Sequence, residues 1–324
     1  MIAIVLIAMA AGAASALMFA SIVSGAPISL LLFYLAPLPL MVAALGWGAL
    51  SATLGGIAAA TALGAIFGLP YCLAFAVTVA LPAWWLGHLA LLGRPVTGGV
   101  PSGNGAQPVA PALEWYPVGR ILLWIAGFAA LTTMAALLTL GSDAATITGA
   151  LHRFLERVFD AQDAASTGEI EPLIDALVAI APAAAEIVAM MTLTLNLWLA
   201  AKITATSGRL HRPWPDLKST ALPPMALAAL SVAVALCFTG GLLAILAQIV
   251  TAALTMAYAL TGFAVLHTLT LALKRRALWL SGTYAIVAVV GWPVLAIAVL
   301  GVADAIFGFR QRYLQGRPPP IPAS

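Results

Sequence analysis

Charge is what this sequence has least of. Only 8% of its 324 residues are Asp, Glu, Lys or Arg, 63% are hydrophobic, and the mean hydropathy is +1.07. Soluble domains carry about 25% charged residues. No charged residue precedes Arg94, so the chain up to that point can cross a bilayer repeatedly without placing a charge in hydrocarbon. A soluble globular protein is excluded. Cysteine is nearly absent too: Cys72 and Cys237 both lie inside apolar runs, which excludes a disulfide framework and a thiolate metal cluster. His-Glu-x-x-His, Gly-x-Ser-x-Gly and Cys/His clusters are all missing. No enzyme chemistry is visible, and no cofactor, metal or catalytic residue is expected. The few Lys and Arg stand in short loops between apolar segments. The net charge of +3 and pI near 9.1 therefore orient the chain in the bilayer rather than recruit nucleic acid.

What remains is a succession of apolar segments. A span needs about 20 such residues, and candidates fall at 2–23, 28–45, 47–67, 70–92, 120–141, 173–201, 222–239 and 242–272, with a last apolar region at 278–309. Ser24-Gly25-Ala26-Pro27, Gly46 and Gly68-Leu69-Pro70 mark the early turns, as Gly and Pro punctuate helices. The N-terminal MIAIVLIAMAAGAASA has the apolar run and Ala-x-Ala pattern of a signal peptide but not its basic n-region, and it is expected as a retained first helix. The sequence thus predicts an all-α polytopic bundle of about 8–10 membrane segments over 1–309, followed by a Pro-rich tail at 310–324.

Lys and Arg in short loops set the orientation. Arg94 and Arg120 flank the 93–119 linker; Lys202, Arg209, Arg212 and Lys218 fall in or beside the 202–221 loop; Lys274, Arg275 and Arg276 occupy the 273–277 turn. These regions are expected to be cytoplasmic, as is the N-terminus. The acid-rich 142–172 loop falls outside by alternation. A single span through 280–302 would carry Arg310, Arg312 and Arg317 outward, so a hairpin of two shorter helices turning at Gly291-Trp292-Pro293 is expected, with the tail inside. The linker RPVTGGVPSGNGAQPVAP reads as flexible and unpacked. Its GGVPSGNG lacks the Gly-Lys-Ser/Thr ending of a phosphate loop.

The residues that could carry function are the polar ones placed in apolar surroundings. Glu186 lies 16 residues before Lys202, about 24 Å along a helix, in the outer third of the core. A carboxylate at that depth costs a few kcal/mol unless it faces a cavity, a partner or water. Asp175, eleven residues earlier, falls within about 20° on the same helical face, so an acidic stripe is expected to run toward Glu186. Pro182 frees a backbone carbonyl one turn before it. The bland alternative is an acid that snorkels or stays protonated. Asn196, about 9 Å from the inner boundary, suits an interhelical hydrogen bond better than ligand contact. Gln248 and Tyr258 could line a pocket or bond a neighbouring helix. His88 and His267, near the inner ends of their spans, are expected to be hydrogen-bonded structural residues. In ATITGALHRFLERVFDAQ, Ile147, Leu151, Leu155, Val158 and Phe159 share one face, predicting an amphipathic helix at the outer interface.

YLAPLPLMVAALGWGALSATLGGIAAA, LEWYPVGRILLW, the Asn196 span ending in a basic loop, and GVADAIFGFRQR together resemble the YybS-like family of bacterial membrane proteins. That family is distantly similar to the substrate-binding components of energy-coupling factor transporters. The resemblance implies an inner-membrane protein that captures a small-molecule solute from outside. It also implies partners, a transmembrane coupling subunit driven by ATPases, met through an Ala-x-x-x-Ala face that Ala10 and Ala14 match. This chain departs from those components in having more spans and an extra outer helix. The expected ligand set is Asp175, Glu186, Gln248 and Asn196. The competing expectation is a non-transport membrane scaffold whose polar residues stitch helices together.

Overall fold

The computed structural model describes residues 2–96, 112–160 and 170–315. The middle of the linker and residues 316–324 of the expected tail lie outside these residues; the first part of that tail, 310–315, is helical instead. The described chain is helical apart from one two-stranded ribbon. Seven helical stretches among the described residues are long and apolar enough to cross a membrane, and three shorter apolar helices of 10–17 residues accompany them. The chain is an all-α polytopic membrane protein, and it divides into two compact units, Met1–Ile121 with Thr192–Pro215, and Leu122–Met191 with Asp216–Ser324.

In the first unit, α1 (Ile2–Ala20), α2 (Pro27–Tyr34), α3 (Pro37–Trp47), α4 (Ala49–Phe67), α5 (Leu69–Phe75) and α6 (Leu81–Ala90) follow one another through short turns. Gly48 and Gly68 make the turns on either side of α4 at φ 92° and 93°, a region open to glycine and strained for other residues. A π-helical turn over Ala76–Ala80 joins α5 to α6 just before Pro82. There the Leu81 N–H donates to the Ala76 carbonyl five residues back, and Pro82 has no N–H to continue the ladder.

Helix contacts here use small residues. Ala8, Gly12, Ser15 and Ala16 of α1 are buried where α1 packs on α4, whose own buried face holds Ser51, Ala52, Gly55, Gly56 and Ala59. A Cβ on Gly12 would collide with the carbonyl oxygen of Gly55, and one on Gly55 with that of Ala8. Lipid offers no hydrophobic gain for helix association, so close backbone approach and van der Waals contact supply it. Ala10 is exposed and Ala14 only half-buried; the tight α1 contact is one helical face away from the Ala10/Ala14 pair.

The expected unpacked linker is tied at both ends. β1 (Gly93–Val96) pairs antiparallel with β2 (Ala112–Trp115), with Arg94 opposite Glu114. The Arg94–Glu114 pair closes at 2.7 Å, but its side chains are 78% and 51% exposed, so the backbone ladder matters more than the ion pair. Arg212 donates to the carbonyls of Ala90 (3.1 Å) and Tyr116 (3.0 Å), clasping α6 to the segment after the ribbon. Burial holds its guanidinium below the ordinary arginine value. Lys202 and Arg209 lie over the rings of Trp214 and Trp47 at 4.4 and 5.3 Å, cation–π contacts that seat the 202–215 segment.

In the second unit, α7 (Val118–Leu138, from Leu122), α8 (Ala144–Asp160) and α9 (Glu171–Thr206, to Met191) precede α10 (Met225–Leu236), α11 (Gly241–Leu269), α12 (Arg276–Val290), α13 (Val294–Phe307) and α14 (Phe309–Gln315). The span expected at 222–239 is only the 12 residues of α10, about 18 Å. Pro223 and Pro224 precede it, and Gly240 and Gly241 turn the chain behind it at φ 79° and 62°. The break at Gly291 (φ 77°), Trp292 and Pro293 separates α12 from α13, where the hairpin was expected. α11 is the centre of this unit: α8, α10, α13 and α14 all pack on it. A Cβ on Gly262 would strike the carbonyl oxygen of Ile297, and one on Gly301 that of Tyr258. Tyr258 itself is buried with Ala226, Ala259 and Ala298.

Asp304 and Arg310 form an ion pair at 2.8 Å with side chains 6% and 11% exposed. The Arg310 backbone N–H also donates to Asp304 (2.9 Å), and its guanidinium donates to the carbonyls of Lys218 and Thr220 at 2.7 and 2.8 Å. The end of α13 is thereby fastened to the segment leading into α10.

Candidate functional site

From Ile174 to Met190, α9 buries one stripe: Ile174, Val178, Pro182, Glu186 and Met190. The four-residue spacing keeps these side chains on nearly one face. Glu186 is completely buried, and neither carboxylate oxygen has a hydrogen-bond partner. Thr133 of α7, itself buried, is the polar side chain that faces it, outside hydrogen-bonding geometry. A buried charge without a partner is among the most costly arrangements a membrane protein can hold. This acid therefore calls for a proton or a cationic partner.

Beside the stripe runs a groove of about 300 Å³ walled by Ala183 and Ile187 of α9, Cys237 of α10, Gln248, Thr251, Ala252, Thr255, Met256 and Ala259 of α11, and Val294 and Leu295 of α13. Its surface is almost wholly apolar. Gln248 supplies the amide, and the Cys237 thiol lies 3.5 Å from the Thr251 hydroxyl. Glu186 is not on the lining, although Ala183, one turn before it, and Ile187, the next residue, both are.

The other expected ligand residues are placed differently. Asp175 is near the N-terminal end of α9 with a 70% exposed side chain, 3.5 Å from His152 of α8. His152 also meets Glu156 at 3.3 Å and Glu171 at 3.5 Å. Asp175 and Glu186 are about 16 Å apart along the helix, so the acidic stripe resolves into one engaged surface carboxylate and one buried acid. Asn196 belongs to the first unit, where its amide donates to the carbonyls of Tyr34 and Thr192, both at 2.8 Å. Of the four expected ligand residues the groove lining holds Gln248 alone; Glu186 stands on the same helix as two lining residues, and Asp175 and Asn196 lie elsewhere.

The amphipathic helix is α8. Asp143 caps it, accepting from the Thr146 N–H (2.9 Å) and hydroxyl (2.6 Å). The Thr146 hydroxyl, and then its N–H, hold this exposed carboxyl below its ordinary value. Ile147 is fully buried, while Phe154 is 55% exposed.

Sequence reasoning missed Thr133, the Cys237–Thr251 pair and the tie from His152 to α9. Only the His152 to Glu156 spacing of four, which places both on one helical face, was available as a signal. His267, expected to be hydrogen-bonded, has its Nε2 2.9 Å from the Tyr284 hydroxyl and its Nδ1 3.3 Å from a terminal nitrogen of Arg276. His88 stacks near Trp84 and Trp85.

The chain matches no family model, no curated protein and no solved structure.

Proposed function

We propose that this multi-pass protein binds a small solute in the groove between α9, α10, α11 and α13, with Glu186 beside it as the anionic handle. The observation that carries the reading is a fully buried carboxyl with both oxygens unpartnered, on the helix whose Ala183 and Ile187 wall the groove. Apolar walls suit an apolar solute body, Gln248 offers one directional hydrogen bond, and Glu186 suits a single amine or other cation that side-chain movement in the wall admits. The protein belongs in the inner membrane of a bacterium, with the basic loops cytoplasmic. Energised transport would require a coupling subunit and ATPases, and the exposed Ala10 face of α1 is where such a subunit would seat.

The test is thermal stabilisation of the detergent-solubilised protein by a panel of small primary amines, comparing wild type with Glu186→Gln. At least one amine is expected to stabilise wild type, with affinity falling about tenfold or more in the variant, the loss expected for a charge-assisted contact. The melting temperature without amine is expected to hold. Amines that stabilise both proteins equally, or neither, would overturn the reading. A non-transport scaffold competes, favoured by the apolar walls of the groove, which would equally suit a partner helix. That reading predicts indifference to amines.

A further inference from the structure

A second polar constellation lies at the other side of α11, where the chain leaves it for α12. Arg276 can only donate, so the 3.3 Å contact of its terminal nitrogen with His267 Nδ1 makes that ring nitrogen the acceptor. The same guanidinium nitrogen reaches the His267 carbonyl at 3.2 Å. His267 then carries its proton on Nε2 and donates to the Tyr284 hydroxyl at 2.9 Å. The phenol has accepted one hydrogen bond, and its own O–H is left to donate. The ring that presents it is fixed by stacking on Phe263, centroids 4.9 Å apart and planes 12° from parallel.

This relay ends in donors without acceptors. Arg276 Nε is buried with no hydrogen-bond partner, and among the described residues no carboxylate pairs with Arg276. Arg276 also begins α12, whose first turn has no side-chain cap; its own N–H donates to the Leu273 carbonyl, and the helix dipole adds to the positive field. Lys274 and Arg275 stand exposed alongside, and the turn holding Lys218 packs on α11. A buried guanidinium N–H without an acceptor is costly, and the charged side chains set around it, Lys274, Arg275 and Lys218, are all cations.

We infer that Arg276, His267 and Tyr284 form a binding site for a phosphate oxyanion, with Lys218, Lys274 and Arg275 as the surrounding charge. An anionic phospholipid headgroup and free phosphate share that chemistry. A planar guanidinium whose Nε has no protein acceptor matches phosphate oxygens once side-chain movement exposes it, and basic clusters at the ends of membrane helices are where headgroups are held.

The experiment is native mass spectrometry of the delipidated protein titrated with phosphatidylglycerol or with phosphatidylcholine, with and without millimolar inorganic phosphate. Wild type is expected to retain phosphatidylglycerol about tenfold more strongly than phosphatidylcholine. Tyr284→Phe and Arg276→Gln are each expected to lose most of that preference. Tyr284→Phe removes one hydroxyl and keeps the stacked ring, so it reports on the site even where Arg276→Gln fails to fold. If inorganic phosphate binds wild type and displaces no lipid preference because none exists, the oxyanion is free phosphate. Equal retention of both lipids with no phosphate binding, or a preference untouched in Tyr284→Phe, would overturn the site and leave a hydrogen-bonded staple between α11 and α12.

Discussion

Asn196 and Glu186 stand ten residues apart on one helix, and their surroundings assign them opposite roles. The amide reaches two carbonyls, a stitch worth about 1 kcal/mol in a membrane. The acid has the Thr133 side chain set against it and no hydrogen bond to either oxygen. Their roles were legible in sequence only as probabilities, because depth along a helix follows from counting, whereas the group across the interface belongs to a distant part of the chain. Asp143 shows the local limit, where sequence suffices: a carboxylate three residues before Thr146, ahead of an amphipathic run, is a cap by spacing alone. Its pH dependence follows. The folded-state pKa is lowered, so the cap contributes fully above about pH 4, the ordinary aspartate value, and is lost as pH falls through the lower folded value. Hydrogen exchange at the Thr146 and Ile147 amides is expected to quicken, relative to the rest of α8, only below that point. In Asp143→Ala it should be fast at every pH.

Among helices, the decisive residues are glycines whose missing side chains let backbones touch. Gly55 and Gly262 each sit against a carbonyl of another helix, and a larger residue must push the pair apart. Gly55→Leu and Gly262→Leu are each expected to destabilise by about 1–3 kcal/mol or more, read as a lower melting temperature in detergent and lower membrane abundance. Gly127→Leu is the matched control, since nothing lies within 4 Å of a Cβ there. Sequence reasoning singled out Ala10 and Ala14 because an Ala-x-x-x-Ala pattern is visible on one strip of letters. The contact that forms uses Ala8 and Gly12, and its other half, Gly55, is more than forty residues away. Helix ends were mostly legible: Gly68 and Gly240 turn the chain at positive φ at breaks between candidate spans, and Gly291 at the expected hairpin, whereas the turn expected at Gly46 falls two residues later at Gly48, with Gly46 inside α3.

For the whole molecule, charge scarcity made the class evident and Gly and Pro made the order of elements evident. The groove was not visible, because its lining comes from four helices and its polar atoms are few. In the second unit, Arg310 is bonded to the carbonyls of Lys218 and Thr220, while Thr239 lies at the far end of α10. With Cys72 and Cys237 replaced, Lys218→Cys and Arg312→Cys are expected to react with an impermeant thiol reagent from the same side of sealed vesicles, and Thr239→Cys from the opposite side. Labelling of 218 and 312 from different sides would refute the hairpin of α12 and α13. The paired strands β1 and β2 have a practical corollary. Because Val96 and Ala112 already face each other across a ladder spacing of about 5 Å, a reporter protein whose termini lie close together can be spliced between them. The ribbon would then hold the two ends of the guest together, and longer guest linkers would cost only the slow logarithm of their length.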